Sequence, residues 1–193
     1  MRIGFDAKRA FSNKTGLGNY SRDSIQALSH YFPKNRYFLY TPTENKKVGL
    51  AFHINSKNTI IRTPESLINR ALKAYWRSKS VVKDLFTNKI DLFHGLSNEL
   101  PLGIEKTSIK TIVTIHDLIF IRYPHLFKTI DRKIYYKKFK SACDRADKII
   151  AVSEQTKRDI INYFFIADEK ITVVYQGCNQ VFQSKISKEK KEL

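Results

Sequence analysis

Apolar positions along the chain fall into short β-like runs separated by stretches with helical spacing. Arg2 to Asp6 alternates and predicts a strand. Thr15-Gly16-Leu17-Gly18 predicts a turn, and Asn19 to Tyr31 a helix carrying Tyr20, Ile25 and Leu28, with Phe32 just beyond. Pro33 and Asn35 end it. Tyr37 to Tyr40 predicts a second strand, closed by Pro42, and Thr59 to Ile61 a third. Residues 43–58 are polar and poorly periodic, and read as an irregular connection with room for one short strand. Glu65 to Phe86 predicts a long helix with Ile68, Leu72, Tyr75, Val82, Leu85 and Phe86 as its apolar set. Ile90 to Phe93 predicts a strand, and the β-branched run Thr111 to Ile115 gives the firmest strand signal in the chain. Asp131 to Ala146 predicts an amphipathic helix, with Tyr135, Phe139, Ala142 and Ala146 on one face. Lys148 to Val152 predicts a strand, Glu154 to Phe165 a helix capped by Ser153, and Ile171 to Tyr175 a last strand. This β-α-β alternation implies an α/β fold with a Rossmann-like, mostly parallel sheet and helices on both faces.

Composition supports a folded chain. Its 193 residues are 42% hydrophobic, enough for one sizeable core or one domain plus a tail. No apolar run reaches about 18 residues, so no transmembrane helix is expected, and no secretory signal is visible. Cys143 and Cys178 make neither a disulfide framework nor a C-x-x-C metal spacing, so a reduced, cytoplasmic chain is the default expectation. Lys plus Arg number 35 against 18 Asp plus Glu, a net charge of +17. Such an excess draws nucleic acid, anionic lipid or phosphate-bearing substrates, or it is a well-solvated basic surface.

Ligands of an open parallel sheet bind at the carboxyl ends of its strands. The residues after the predicted strands are Gly16-x-Gly18, His94-Gly95, His116-Asp117, Ser153-Glu154 and Gln176-Gly177. A glycine loop opening a helix suits a phosphate or diphosphate, because free backbone N–H groups point outward there. The same pair also reads as a helix-entry turn needing positive φ. Ser21 stands where the dinucleotide fingerprint has its third glycine. His116 at a strand mouth could act as base or bond a hydroxyl, tuned by Asp117, or it could be a structural histidine bonding a carbonyl. His94 reads more as structural. Ser153 reads as an N-cap, which is compatible with anion binding. No nucleophile-elbow, P-loop, zinc or nucleic-acid motif is present.

Five ordered segments carry a family resemblance. They are R-I-G-F-D-A-K-R with T-G-L-G-N-Y, D-L-F-H, T-I-V-T-I-H-D-L, R-A-D-K-I-I-A-V-S-E-Q-T-K-R-D-I and K-I-T-V-V-Y-Q-G-C-N-Q-V-F. Together the sequence resembles the N-terminal half of the retaining glycosyltransferases of family 4 (glycosyl transferases group 1), the mannosyltransferase-like members above all. The resemblance implies one half of a GT-B fold, in which the N-terminal domain receives the acceptor and a C-terminal domain holds most of the nucleotide-sugar. It implies that Gly16 and Gly18 lie near the donor diphosphate. His116 would lie near the transferring sugar and the acceptor hydroxyl, with Asp117 supporting it. Ser153 and Glu154 would line the cleft wall, with Lys157 one turn along; His94 joins these as a substrate-binding candidate only through its place after a predicted strand. The donor is a co-substrate, and no metal or other cofactor is expected.

Residues 1–182 are expected to form this domain and residues 183–193 a linker or frayed tail; the sequence stops where the donor-binding domain should begin. The expected function is transfer of a hexose, mannose-like, from a nucleotide-sugar to a sugar or lipid-linked acceptor with retention, the fragment alone being inactive. The alternative is a non-catalytic basic module that binds anionic lipid or nucleic acid. Residues 65–86 and 131–146 interleave Lys and Arg with Tyr75, Trp76, Tyr135, Tyr136 and Phe139. They suit peripheral attachment to an anionic membrane face, or their aromatics are simply core.

Overall fold

The alternation seen in the sequence builds one seven-stranded, all-parallel sheet in the computed structural model, which describes residues 1–44 and 57–177. The strands are β1 Arg2–Asp6, β2 Arg36–Tyr40, β3 Thr59–Arg62, β4 Leu92–Gly95, β5 Lys110–Ile115, β6 Lys148–Ala151 and β7 Ile171–Val173. Their spatial order is β3-β2-β1-β4-β5-β6-β7. The chain starts mid-sheet, winds to one edge, then crosses back, so strand order reverses between β1 and β4. This is the doubly wound Rossmann-like arrangement, and the crevice outside the carboxyl ends of β1 and β4 is its switch point.

Side-chain alternation along each strand separates two cores. Phe5, Ile25, Tyr37, Leu39 and Leu96 pack on one face, beneath α1 Lys8–Ser12 and α2 Gly16–Tyr31. Phe93, Val113, Ile115, Ile149 and Ile160 belong to the larger core on the other face. That core is covered by α4 Val81–Thr87, α6 Thr129–Arg145 and α7 Glu154–Phe164; two shorter helices, α3 Leu67–Ala71 and α5 Ile119–Arg122, precede α4 and α6. Each fully buried Phe, Ile or Leu contributes about 1.5–3 kcal/mol through lost water contact.

Several predicted boundaries move, each for a local reason. The glycine pair is the first turn of α2, not a loop before it. The expected helix from Glu65 to Phe86 is broken: Leu72 leaves helical geometry (φ −101°, ψ 55°), a single turn Lys73–Tyr75 follows, and a π-helical turn Trp76–Ser80 leads into α4. The fourth strand starts two residues later than predicted. Lys89 is left-handed (φ 52°), and the Asp91 carboxylate and carbonyl are taken by Arg2 N–H and Lys110 N–H, so pairing begins at Leu92. His94 therefore lies inside β4 and not after it. α7 ends at Phe164 because Phe165 turns left-handed (φ 58°). Most of the connection at 43–58, Cys178 and the tail at 183–193 lie outside the described residues.

Two aromatics expected in a membrane-facing set belong to the interior. Trp76 is 1% exposed and donates through Nε1 to Asp84 (2.6 Å), and Phe139 packs edge-on to Phe120. No described helix is long and apolar enough to cross a membrane. The buried Cys143 thiol is pushed up to about 12, by burial first and Asp144 second, which leaves it protonated.

Candidate functional site

His116 sits at the mouth of β5, held from three sides. Its N–H donates to Asn98 Oδ1 (2.9 Å), and Asn98, left-handed at φ 61°, donates its own N–H to the Thr114 carbonyl (2.9 Å). The His116 carbonyl accepts from Thr156 Oγ1 of α7 at 3.0 Å. The imidazole Nε2 lies 2.9 Å from the Leu96 carbonyl, and the Tyr20 ring of α2 stands perpendicular at 4.7 Å. A carbonyl only accepts, so Nε2 carries the hydrogen. Burial lowers the ring's pKa, opposed by the Leu96 bond and by Asp117. The neutral ring thus keeps Nδ1 as an acceptor, with the Gln176 amide nitrogen 3.5 Å away.

The other predicted residues divide. Asp117 is exposed, and its carboxylate accepts from Ile119 N–H (3.3 Å), an Asx turn that opens α5; its influence on His116 is longer-range and electrostatic. His94 is buried below the edge. Its Nε2 lies 2.8 Å from Thr114 Oγ1, which in turn lies 3.1 Å from the Tyr20 hydroxyl. Burial and His116 push its pKa down to about 4, so His94 is a neutral member of an internal chain and not a group at the cleft.

Gly16 and Gly18 do not need positive φ, contrary to the helix-entry reading; among the described glycines only Gly103 has it. Gly18 is required by close approach, since a Cβ there would meet the Asn13 carbonyl oxygen at 1.9 Å. Thr15 donates its hydroxyl to Asn13 Oδ1 (2.7 Å), and no side chain accepts from the first N–H groups of α2. The α2 N-terminus beside Tyr20 and His116 therefore lacks a side-chain acceptor of its own. Ser153 caps α7, accepting from Thr156 N–H at 3.1 Å, and exposed Glu154 sits in the first turn, where the helix dipole favours its charge. Lys157 pairs with Asp168 (2.8 Å) in the turn before β7, so its ammonium is drawn toward the amino ends of the strands, away from Ser153. His116, Ser153, Gly16 and Gly18 are brought to the carboxyl edge; His94 and Lys157 are not presented there.

A second cluster, which no sequence motif marks, lies at the switch point. Arg77, on the π-helical turn, donates from Nε to both Asp6 carboxylate oxygens (3.1 and 3.0 Å) and from Nη1 to Glu99 Oε2 (2.8 Å). Lys138 approaches Glu99 at 3.4 Å. Burial opposes the charge on Arg77, but the two carboxylates outweigh it and raise its pKa. Lys8 is lowered by burial and then by Arg77. The available signal was a carboxylate ending the first strand at a switch point. Its partner could not be read, because π-helical turns leave no clear periodic mark. Among the described residues no group of three or more His, Cys, Asp or Glu could hold a metal ion.

The same fold recurs in solved structures. Alr3699/HepE from Anabaena, in complex with UDP and glucose, superposes with a TM-score of 0.59 at 12% identity, covering 99% of this chain and 48% of that one. A glycosyltransferase from Rickettsia africae gives a TM-score of 0.56 at 12% identity, covering 99% and 47%. The chain thus spans about half the length of these structures. No curated protein sequence matches it. The model of Glycosyltransferase Family 4 matches residues 23–180, most of the chain and every strand from β2 to β7. By that match the chain belongs to Glycosyltransferase Family 4.

Proposed function

We propose that this chain is the acceptor-side half of a retaining, mannosyltransferase-like enzyme that moves a hexose from a nucleotide-sugar to an acceptor hydroxyl. The carrying observation is His116: fixed through Nε2 by the Leu96 carbonyl, it keeps Nδ1 as an acceptor at the carboxyl end of β5, where an acceptor hydroxyl would replace the long 3.5 Å contact with the Gln176 amide. Nδ1 would accept a hydrogen bond from the acceptor hydroxyl and take its proton as the glycosidic bond forms. The uncapped N-terminus of α2 would face the donor diphosphate, with Gly18 permitting the tight loop beneath it. Ser153 and Glu154 would stand along the opposite wall. Positioning and stabilisation of the departing diphosphate would supply most of the rate.

The UDP and glucose bound by HepE support a nucleotide-sugar donor. Residues 1–182 would form one domain and a second domain would hold the donor, so the 193-residue chain alone would transfer no sugar. Membrane attachment at an inner, cytoplasmic face is part of the proposal. Leu67, Ile68 and Leu72 are 81%, 70% and 54% exposed around α3, beside Arg70 and Lys73. The test is release of nucleoside diphosphate from GDP-mannose and UDP-glucose by the complete protein with candidate acceptors. Acceptor-dependent release supports the reading; binding of anionic lipid with no turnover of any nucleotide-sugar would favour a non-catalytic module instead.

A further inference from the structure

On the sheet face opposite His116, a cavity of about 210 Å³ opens between the π-helical turn, residues 97–102 and α6. We propose that it binds an amphipathic anion: a short alkyl or ring segment inside, and a phosphate-type head at the rim.

The apolar wall is formed by Trp76, Val81, Phe93, Leu100 and Leu102. The first four are buried, and Leu102 is 52% exposed where the cavity opens. An apolar cavity of roughly 150 Å³ takes a benzene-sized guest. This one therefore accommodates a ring or a short alkyl segment, and a longer chain would run out past Leu102.

Charge sets the other end. Arg77, Lys137, Lys138 and Arg145 line the cavity against Asp6 and Glu99. Arg77 is spent on both carboxylates. Arg145 is spent on the Leu100 and Pro101 carbonyls and on Glu105. Lys138 has only a long, 3.4 Å approach to Glu99, and exposed Lys137 has no ion pair among the described residues. Two adjacent ammonium groups are thus available to one anionic head, and Lys serves phosphate as a point charge. Asp6 and Glu99, locked by Arg77, repel an anion from the floor, so the apolar end enters first. The fixed carboxylate–guanidinium lock keeps this wall in place before any ligand arrives. Assigning the ligand to the transfer reaction, as acceptor, rests on the function proposed above; binding itself does not.

Trp76 is the single tryptophan of the chain and lines the cavity, so its emission reports occupancy. The 193-residue protein is titrated with monomeric octyl phosphate, octyl glucoside and inorganic phosphate. Octyl phosphate is expected to change Trp76 emission saturably, and octyl glucoside to bind about tenfold more weakly, as loss of one charge-assisted contact predicts. Inorganic phosphate should give no response. Lys137→Glu with Lys138→Glu should weaken octyl phosphate alone, and Leu102→Asp, at an exposed position, should weaken both alkyl ligands. No saturable change with octyl phosphate overturns the proposal. So does equal affinity for the glucoside or for inorganic phosphate, or an unchanged response in Leu102→Asp. Binding by this chain, with no sugar transfer by the complete protein, would remove the acceptor role and leave the cavity assignment standing.

Discussion

Arg77 grips Asp6 across 71 residues of sequence, joining the π-helical turn to the end of β1. Asp6 is 6% exposed, and both of its carboxylate oxygens face that guanidinium. Arg77→Leu leaves a buried carboxylate unpaired and should lower stability by about 3–5 kcal/mol. The double variant Arg77→Leu with Asp6→Asn should recover a good part of the loss. Urea midpoints measure both; a single variant as stable as the parent would show that the pair bears no weight.

The two glycines of α2 should respond oppositely. Gly18→Ala forces a methyl against the Asn13 carbonyl and must shift backbone, whereas an added Cβ at Gly16 meets nothing within 4 Å. Gly16→Ala should be neutral or stabilise by up to about 1 kcal/mol, as Ala replaces Gly in a helix. Thermal unfolding compares them, and equal melting temperatures would contradict the close approach.

His94 should couple folding to pH. Its pKa falls from 6.5 to about 4 in the fold, so between those values the unfolded chain binds the extra proton. Stability is full above pH 6.5 and is lost as pH falls toward 4, and His116, lowered in the same direction, adds to the slope. Denaturant midpoints at pH 7 and pH 5 should diverge in the parent and diverge less in His94→Gln. The same slope in both proteins would remove His94 as the cause.

The exposed α3 surface should bind anionic vesicles. Basic side chains near such a surface contribute about 1 kcal/mol each, screened by salt. Co-sedimentation should rise with anionic lipid, fall with salt, and be lost in Leu67→Ser with Ile68→Ser. Absence of binding at low salt would take the membrane out of the account.

The sheet was legible because inner strands such as β2 and β5 are largely buried and read as compact β-branched or aromatic runs, with Thr111 to Ile115 the clearest. The edge at His116 and Ser153 followed, since parallel strands deliver the residues after them to one side. Residues 65–86 misled, because Leu72 breaks the helix without a Pro or Gly to announce it. His94 was misplaced because the turn at Lys89 and the capture of Asp91 delay β4 by two residues. Arg77 stayed hidden since its partners come from distant segments that only the folded sheet brings together.

Nδ1 of His116 is the group on which the proposed transfer turns. Initial rates of sugar transfer by the complete protein, compared among the parent, His116→Ala and His94→Ala, test it most directly. Removing a general base or hydroxyl-orienting group typically costs about 10²–10⁴-fold in rate. A loss of that size is predicted for His116→Ala with the acceptor and donor still bound, against a much smaller loss for His94→Ala. Small and equal losses in the two folded variants would contradict the account and return His116 to a structural role.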